Sequence, residues 1–154
     1  MKLETNIENI AEIAERKRNE NISFSSYLKG QDIGKIDEIV HRLYEEIGPQ
    51  IDCLSCGNCC LNLRPVATDK VLSLFVEPEN IEEFKYLMSF PCKNLSGKKC
   101  TIYSERPEEC RSYPYMHRDK FVERTHEILQ NYEICPIVFN IFELLKKELG
   151  WIKE

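Results

Sequence analysis

Apolar positions in the first third of the chain follow helical spacing in two stretches. The second stretch begins after Asp32 and ends at Gly48-Pro49, and it predicts a helix that packs on the core. The polar run 15–21 between the two stretches is predicted to face solvent. The apolar positions of the first stretch are Ile7, Ile10, Ala11, Ile13 and Ala14, and those of the second are Ile36, Ile39, Val40, Leu43, Tyr44 and Ile47.

Two shorter helices are predicted in the middle of the chain. Thr68 or Asp69 can cap the first of them, and Pro78 interrupts it. The second is predicted over residues 79–88. Their apolar positions are Val71, Leu72 and Phe75 in the first, and Ile81, Phe84, Leu87 and Met88 in the second.

Residues 89–118 show no sustained hydrophobic period and carry several prolines and a glycine, so loops with one helical turn over 106–110 are expected there. The last helix is predicted to begin at Cys135-Pro136, because proline suits a first helical turn. Its broad apolar face predicts a core helix. That face consists of Ile137, Val138, Ile141, Phe142, Leu144, Leu145 and Leu149.

Composition and charge narrow the class of protein. A chain of 154 residues, 42% hydrophobic and 31% charged, is expected to form one globular domain. Its net charge of −5 and its lack of a basic run argue against nucleic acid as a partner. No stretch approaches the roughly 18 apolar residues of a membrane span, and the N-terminus lacks the apolar core of a signal peptide. The sequence therefore predicts a cytoplasmic protein with no membrane contact.

Eight cysteines carry the candidate chemistry. In a reducing compartment such a set favours metal binding or redox chemistry over disulfides. The first 52 residues and the last 19 contain none of them, so the chemistry lies in the middle of the chain. The candidate metal ligands are Cys53, Cys56, Cys59, Cys60, Cys92, Cys100, Cys110 and Cys135.

The first four cysteines fall within eight residues, in a C-x2-C-x2-C-C run. This spacing lets sulfurs converge on one ion from tight turns, and Gly57 and Asn58 tolerate the left-handed conformation of such turns. The run, with a remote Cys135-Pro136, resembles the bacterial ferredoxin pattern of iron–sulfur ligation. The side chains of adjacent residues point in different directions. Cys59 and Cys60 are therefore expected to belong to different sites, or only one of the two is a ligand.

Two four-thiolate sites would use every cysteine. One hypothesis assigns Cys53, Cys56, Cys59 and Cys135 to the first site, and Cys60, Cys92, Cys100 and Cys110 to the second. His117 or His126 could replace a thiolate. Metallation would make the net charge more negative, so nearby cations should be stabilising. The candidate neighbours are Arg64, Arg106 and Arg111 as cations, and Tyr103, Tyr113 and Tyr115 as residues that screen the sulfurs.

Other interpretations of the cysteines fit less well. Buried or surface thiols without metal would not explain the clustering. A thioredoxin-like pair would need a βαβ unit, and none is visible. A zinc ribbon would need a second C-x2-C, whereas the later cysteines are widely spaced.

The motifs together resemble the CxxCxxCC cysteine-cluster family of zinc- or iron-chelating domains. The resemblance covers about residues 51–136, and it departs from the family at Ile51, where an aromatic residue is common, and at 93–95, which is less apolar. It implies metal chelation by the cysteines. The motifs are Cys53-x2-Cys56-Gly57-x-Cys59-Cys60, Pro91-Cys92, Cys100-Thr101-Ile102-Tyr103-x2-Arg106-Pro107-x2-Cys110-Arg111-x-Tyr113-Pro114 and Cys135-Pro136.

The sequence thus predicts a mainly α, single small domain with an irregular cysteine-rich metal-binding centre packed between N- and C-terminal helices. Residues 1–50 would be a helical extension, 51–136 the chelating region and 137–154 the core helix. The expected cofactor is an iron–sulfur cluster, [4Fe–4S] in the first instance, or zinc. Two alternatives stay open: a small methyl-transfer or redox enzyme, by analogy with flagellin lysine N-methylases that carry a similar cluster, and a metal-stabilised module whose N-terminal helices bind a protein partner.

Overall fold

A computed structural model describes residues 2–62, 67–86 and 92–151 of the chain. The fold is that of a small, mainly α domain, as predicted, and 64% of it is helical. Within the described residues, the helices are α1 (Ile7–Arg16), α2 (Arg18–Leu28), α3 (Ile33–Ile47), α4 (Cys53–Cys56), α5 (Asn58–Asn62), α6 (Asp69–Leu72), α7 (Ile81–Tyr86), α8 (Glu108–Ser112), α9 (Phe121–Leu129) and α10 (Pro136–Glu148), and a hairpin joins β1 (Leu95–Ser96) to β2 (Lys99–Cys100).

Contacts within the chain group it into two units. The helical unit comprises Met1–Ile51 and Pro114–Glu154, and the cysteine unit comprises Asp52–Tyr113. Among the described residues, no helix is both long enough and apolar enough to cross a membrane.

The helical unit is built on α3, which packs against α10 and α9, while α1 contacts α2 and α10. The predicted helices after Asp32 and at Pro136 are confirmed. Asp32 caps α3, because its Oδ1 accepts a hydrogen bond from the Lys35 N–H at 2.8 Å. The largest fully buried side chains of this unit are Phe24, Phe121, Phe142, Ile10, Leu28, Ile36, Leu43, Ile47, Met116 and Ile141.

Two features of the helical unit differ from the sequence pattern. The polar run 15–21 was expected to face solvent, but α2 begins within it and Asn21 is buried. A hydrogen bond compensates the burial of this amide, because the Oδ1 of Asn21 accepts from Lys146 Nζ at 2.6 Å. The second feature is α9, which the sequence pattern did not single out. Its first amides, of Lys120 and Phe121, donate to the buried carboxylate of Asp37 in α3 at 2.8 and 2.9 Å.

The cysteine unit consists of short elements around a small apolar core. Thr68 caps α6 as predicted, with its Oγ1 accepting from the Val71 N–H, but α6 ends at Leu72. The second predicted helix is present as α7, and its expected apolar positions 87–88 lie outside the described residues. The core of this unit consists of Leu72, Phe75, Val76, Ile81 and Phe84, with Ala67, Val71, Cys92 and Cys110 packed against it.

The segment expected to form loops with one helical turn also contains the β1–β2 hairpin, which corrects the sequence prediction. Leu95 pairs with Cys100 and Ser96 with Lys99. Two residues per strand are too few to produce a readable alternation, so the pattern could not reveal it. The predicted turn over 106–110 is present as α8, which begins at Glu108.

Candidate metal centre

All eight cysteines lie in the described part of the chain, and each is a thiol rather than half of a disulfide. Seven belong to the cysteine unit and are partly buried: Cys53, Cys56, Cys59, Cys60, Cys92, Cys100 and Cys110. Cys135 belongs to the helical unit, where it is 6% exposed and precedes α10.

The C-x2-C-x2-C-C run folds as two helical turns joined at Gly57. Asp52 caps α4 by accepting a hydrogen bond from the Ser55 N–H at 3.2 Å, so the helix begins at Cys53. Gly57 then adopts φ +57°, which ends α4, and α5 begins at Asn58. The left-handed residue predicted in this run is therefore Gly57. Asn58 is helical.

The backbone of the hairpin passes directly over Gly57. A Cβ placed on this glycine would lie 2.1 Å from the carbonyl oxygen of Lys98. That distance is far inside van der Waals contact, so only glycine allows α4 and the hairpin to approach this closely. The contact places the first cysteine pair beside β2, the strand that carries Cys100.

Cys92 is fixed by a network that the spacing of the cysteines did not reveal. The N–H of Asn94 donates to Cys92 Sγ at 3.4 Å, and the side-chain amide of Asn94 donates to the carbonyl of Leu74 at 2.8 Å. The carbonyl of Asn94 accepts from the Thr101 N–H at 2.8 Å, next to Cys100. Asn94 thus holds the chain beside two cysteines. In the sequence, the one signal for this role of Asn94 is its position two residues after Cys92, from which its N–H can reach the sulfur.

Two thiols of the cysteine unit, Cys92 and Cys110, have pKa values that are raised by neighbouring thiols. The pKa of Cys110 is raised to about 11, mainly by burial and in addition by the neighbouring thiols of Cys60, Cys92 and Cys100, while the charge of Arg106 lowers it. Burial also raises the pKa of Cys92, with added contributions from Cys60 and Cys100, while the hydrogen bond from Asn94 lowers it. These four sulfurs therefore lie in one neighbourhood.

A second group involves the start of the cysteine run. Burial raises the pKa of Cys53, and Cys56 and Cys60 raise it further, whereas Arg106 lowers it. Cys60 therefore lies within electrostatic range of Cys53 as well as of Cys92 and Cys110.

The three arginines singled out in the sequence differ in their surroundings. Arg106 Nε donates to the carbonyl of Tyr103 at 3.0 Å, and its guanidinium lies 3.9 Å from the centre of that residue's ring. Arg111 instead pairs with Glu108 at 3.1 Å on an exposed surface. Arg64 lies outside the described residues. Arg106 is therefore the arginine that is both held in place and close to thiols.

The histidines and the remaining tyrosines named in the sequence analysis are divided between the two units. His117 belongs to the helical unit, where its ring is 6.5 Å from that of Tyr44, and His126 lies in the last turn of α9. Tyr115 belongs to the same unit and lies under the guanidinium of Arg118, while Tyr113 closes the cysteine unit.

The donor chemistry of the cysteine unit fits a metal that prefers sulfur. Its partly buried thiols, without disulfides, are ligands for zinc or for the iron of a cluster. Within residues 2–62, 67–86 and 92–151, no three His, Cys, Asp or Glu side chains are already arranged to hold an ion. The cysteine unit thus supplies the ligand type.

These features define a class, that of small α-helical proteins whose cysteine-rich unit offers thiolate ligands. The comparison with family models identifies the family within that class: residues 52–136 match the CxxCxxCC zinc- or iron-chelating domain, and the chain belongs to this family. The match spans the cysteine unit and reaches Cys135-Pro136. No curated protein and no solved structure matches the chain.

Proposed function

We propose that the protein binds an iron–sulfur cluster of the [4Fe–4S] type through its cysteines, with zinc as the competing metal for the same ligands. The observation that carries the proposal is that the thiols of Cys60 and Cys100 raise the pKa values of both Cys92 and Cys110, two partly buried cysteines of the same unit. Four thiolates complete the coordination of either a cluster or a zinc ion.

We propose these four cysteines as one ligand set, and Cys53, Cys56 and Cys59 as members of another. The influence of Cys56 on Cys53 supports the start of the second set. The position of Cys60 within range of both groups is compatible with either set, so its substitution is the informative experiment.

The iron–sulfur proposal rests on the C-x2-C-x2-C run and the remote Cys-Pro pair, which follow the ferredoxin pattern. A bound cluster would supply electron transfer or a structural cross-link. Cysteine thiols with raised pKa values carry protons at neutral pH, so metal binding displaces those protons. A reducing compartment such as the cytoplasm would keep the eight thiols available for this.

Anaerobic purification followed by iron, sulfide and zinc analysis tests the proposal. A brown protein with about equal iron and sulfide supports the cluster. A colourless protein with stoichiometric zinc and no iron overturns the cluster and leaves a zinc centre. Absence of both metals from protein prepared with each in excess would overturn metal binding altogether.

Single Cys→Ser variants test the ligand sets. Cys110→Ser should remove the metal of one site only, and Cys56→Ser that of the other, each detected as a loss of half the bound metal. Cys60→Ser should behave like Cys110→Ser. If Cys60→Ser instead behaves like Cys56→Ser, the proposed division is wrong.

A further inference from the structure

A cavity of about 370 Å³ lies in the helical unit, and none of the cysteines lines it. Its walls are α1, α10 and the residues that precede α1. Much of the lining is apolar, supplied by Leu3, Ile13, Phe139 and Leu144. A volume of this size is typical of sites for small molecules, which range from about 300 to 1,000 Å³.

The N-terminal wall of the cavity is held in place by a buried amide. Asn140 in α10 is 5% exposed, and its Oδ1 accepts a hydrogen bond from the Glu4 N–H at 3.0 Å. Its Nδ2 donates to the carbonyl of Glu4 at 2.8 Å and to that of Pro136 at 2.7 Å. Because both backbone groups of Glu4 are bonded to one buried side chain, the backbone at Glu4 is held against α10.

The charges around the cavity are unevenly matched. Lys2, Arg16 and Lys147 line it, and none of them forms an ion pair with the described residues. Lys17 and Glu143 also line the cavity and form an ion pair with each other at 2.5 Å, and Glu143 forms a second ion pair with Lys146 at 2.8 Å.

Glu4 is the remaining acid of the lining, and its Oε1 accepts a hydrogen bond from the Asn6 N–H at 2.9 Å. Among the described residues of the lining, three cations without an ion pair therefore lie near one remaining acid, Glu4, in a chain whose net charge is −5. Such a local excess of positive charge beside an apolar wall attracts anions.

We propose that this cavity binds a small amphipathic anion, with its apolar body against Leu3, Ile13, Phe139 and Leu144 and its carboxylate facing Arg16 and Lys147. The apolar lining alone would accept a neutral molecule, and the cations alone would accept any small anion. The combination selects a molecule that carries both features. This binding is independent of the metal proposed for the cysteine unit.

Calorimetric titration of the full chain with octanoate tests the proposal, with 1-octanol and acetate as probes that carry only one of the two features. Octanoate should bind at least tenfold more tightly than either. Backbone amide NMR shifts during the titration should concentrate in α1, α10 and residues 2–4. Equal binding of octanoate and octanol, shifts spread over the surface, or no binding at all would overturn the proposal.

A charge variant with a matched control locates the site. Arg16→Gln with Lys147→Gln should weaken octanoate binding about tenfold, whereas Lys35→Gln removes an exposed cation of the same unit that does not line the cavity and should leave binding unchanged. An equal loss in the control would show non-specific attraction and refute the site. Emission of Trp151, the single tryptophan, verifies that each variant keeps the helical unit folded.

Discussion

At the scale of single residues, the sequence indicates the ligand type better than it indicates what holds the ligands. The positions of the eight cysteines and the need for a left-handed residue near Gly57 could be read from spacing. The close approach of Lys98 to Gly57 could not, because it joins residues distant in sequence. The sequence also does not distinguish Arg106 from Arg111, because both carry the same charge. In the structure, Arg111 forms an ion pair with Glu108, whereas Arg106 is held by Tyr103.

Substitution of Gly57 tests whether this close approach matters for the metal centre. Gly57→Ala would place a Cβ 2.1 Å from the Lys98 carbonyl and add about 1–2 kcal/mol of left-handed strain, so the hairpin must move. We expect metal affinity to fall at least 100-fold, measured by competition with a chelator of known affinity.

Gly97→Ala is the matched control. Gly97 also has a positive φ, of +64°, but a Cβ there would meet nothing within 4 Å. The Gly97→Ala variant therefore has the left-handed strain but no steric clash. The metal affinity of this variant should fall by roughly tenfold at most, because about 1.4 kcal/mol corresponds to a factor of ten. Equal losses in both variants would mean that left-handed strain alone explains the effect.

At the scale of elements, hydrophobic periodicity predicts α3 and α10, which bury long apolar faces, but it does not predict the course of α2. The helices α3 and α10 have such faces and were predicted. In contrast, α2 buries Asn21 and Ser25 together with Phe24 and Leu28. The burial of Asn21 is compensated by Lys146, itself 5% exposed, which donates to Glu20, Asn21 and Glu143 at 3.1, 2.6 and 2.8 Å. A network between residues about 125 positions apart leaves no local pattern.

This network makes the stability of the helical unit depend on pH. Burial raises the pKa of Glu143, but hydrogen bonds from Lys146 and Lys17 outweigh burial, so its pKa is lowered overall. A carboxylate whose folded pKa lies below the unfolded value, about 4.3, stabilises the fold above that value. That contribution is lost as the pH falls through the folded pKa. The free energy of unfolding, followed by Trp151 emission in urea, should therefore decrease below about pH 4.

The variant Glu143→Gln separates this group from the other carboxylates. At pH 7 it should lower the free energy of unfolding by about 2 kcal/mol, because a charge-assisted hydrogen bond is lost. It should also reduce the decrease on acidification. Glu15→Gln, at an exposed residue of α1 that pairs with Arg18, should change neither quantity. An unchanged acid profile in Glu143→Gln would assign the pH dependence to other groups.

At the scale of the whole molecule, the two units differ in what can stabilise them. The helical unit has a broad apolar core with several large aromatic side chains, whereas among the described residues of the cysteine unit five apolar side chains form the buried core. A small core cannot offset the conformational entropy of an irregular segment, so a metal or disulfides are usually needed. Structural zinc sites supply on the order of 10 kcal/mol of binding free energy to folding. The cysteine positions already located metal binding in the middle of the chain, and the division into units adds that this part has a small apolar core among its described residues.

Removal of the metal should therefore affect the two units differently. After anaerobic treatment with a chelator, amide hydrogen exchange should accelerate across residues 92–113, where short elements carry Cys92, Cys100 and Cys110. Protection of α3 and α10 should change little, because their burial rests on apolar packing. Trp151, packed 5.1 Å from the ring of Phe24, should keep its emission. Equal loss of protection in both units would show that the metal stabilises the whole chain, and unchanged exchange in 92–113 would show that the cysteine unit holds its fold without metal.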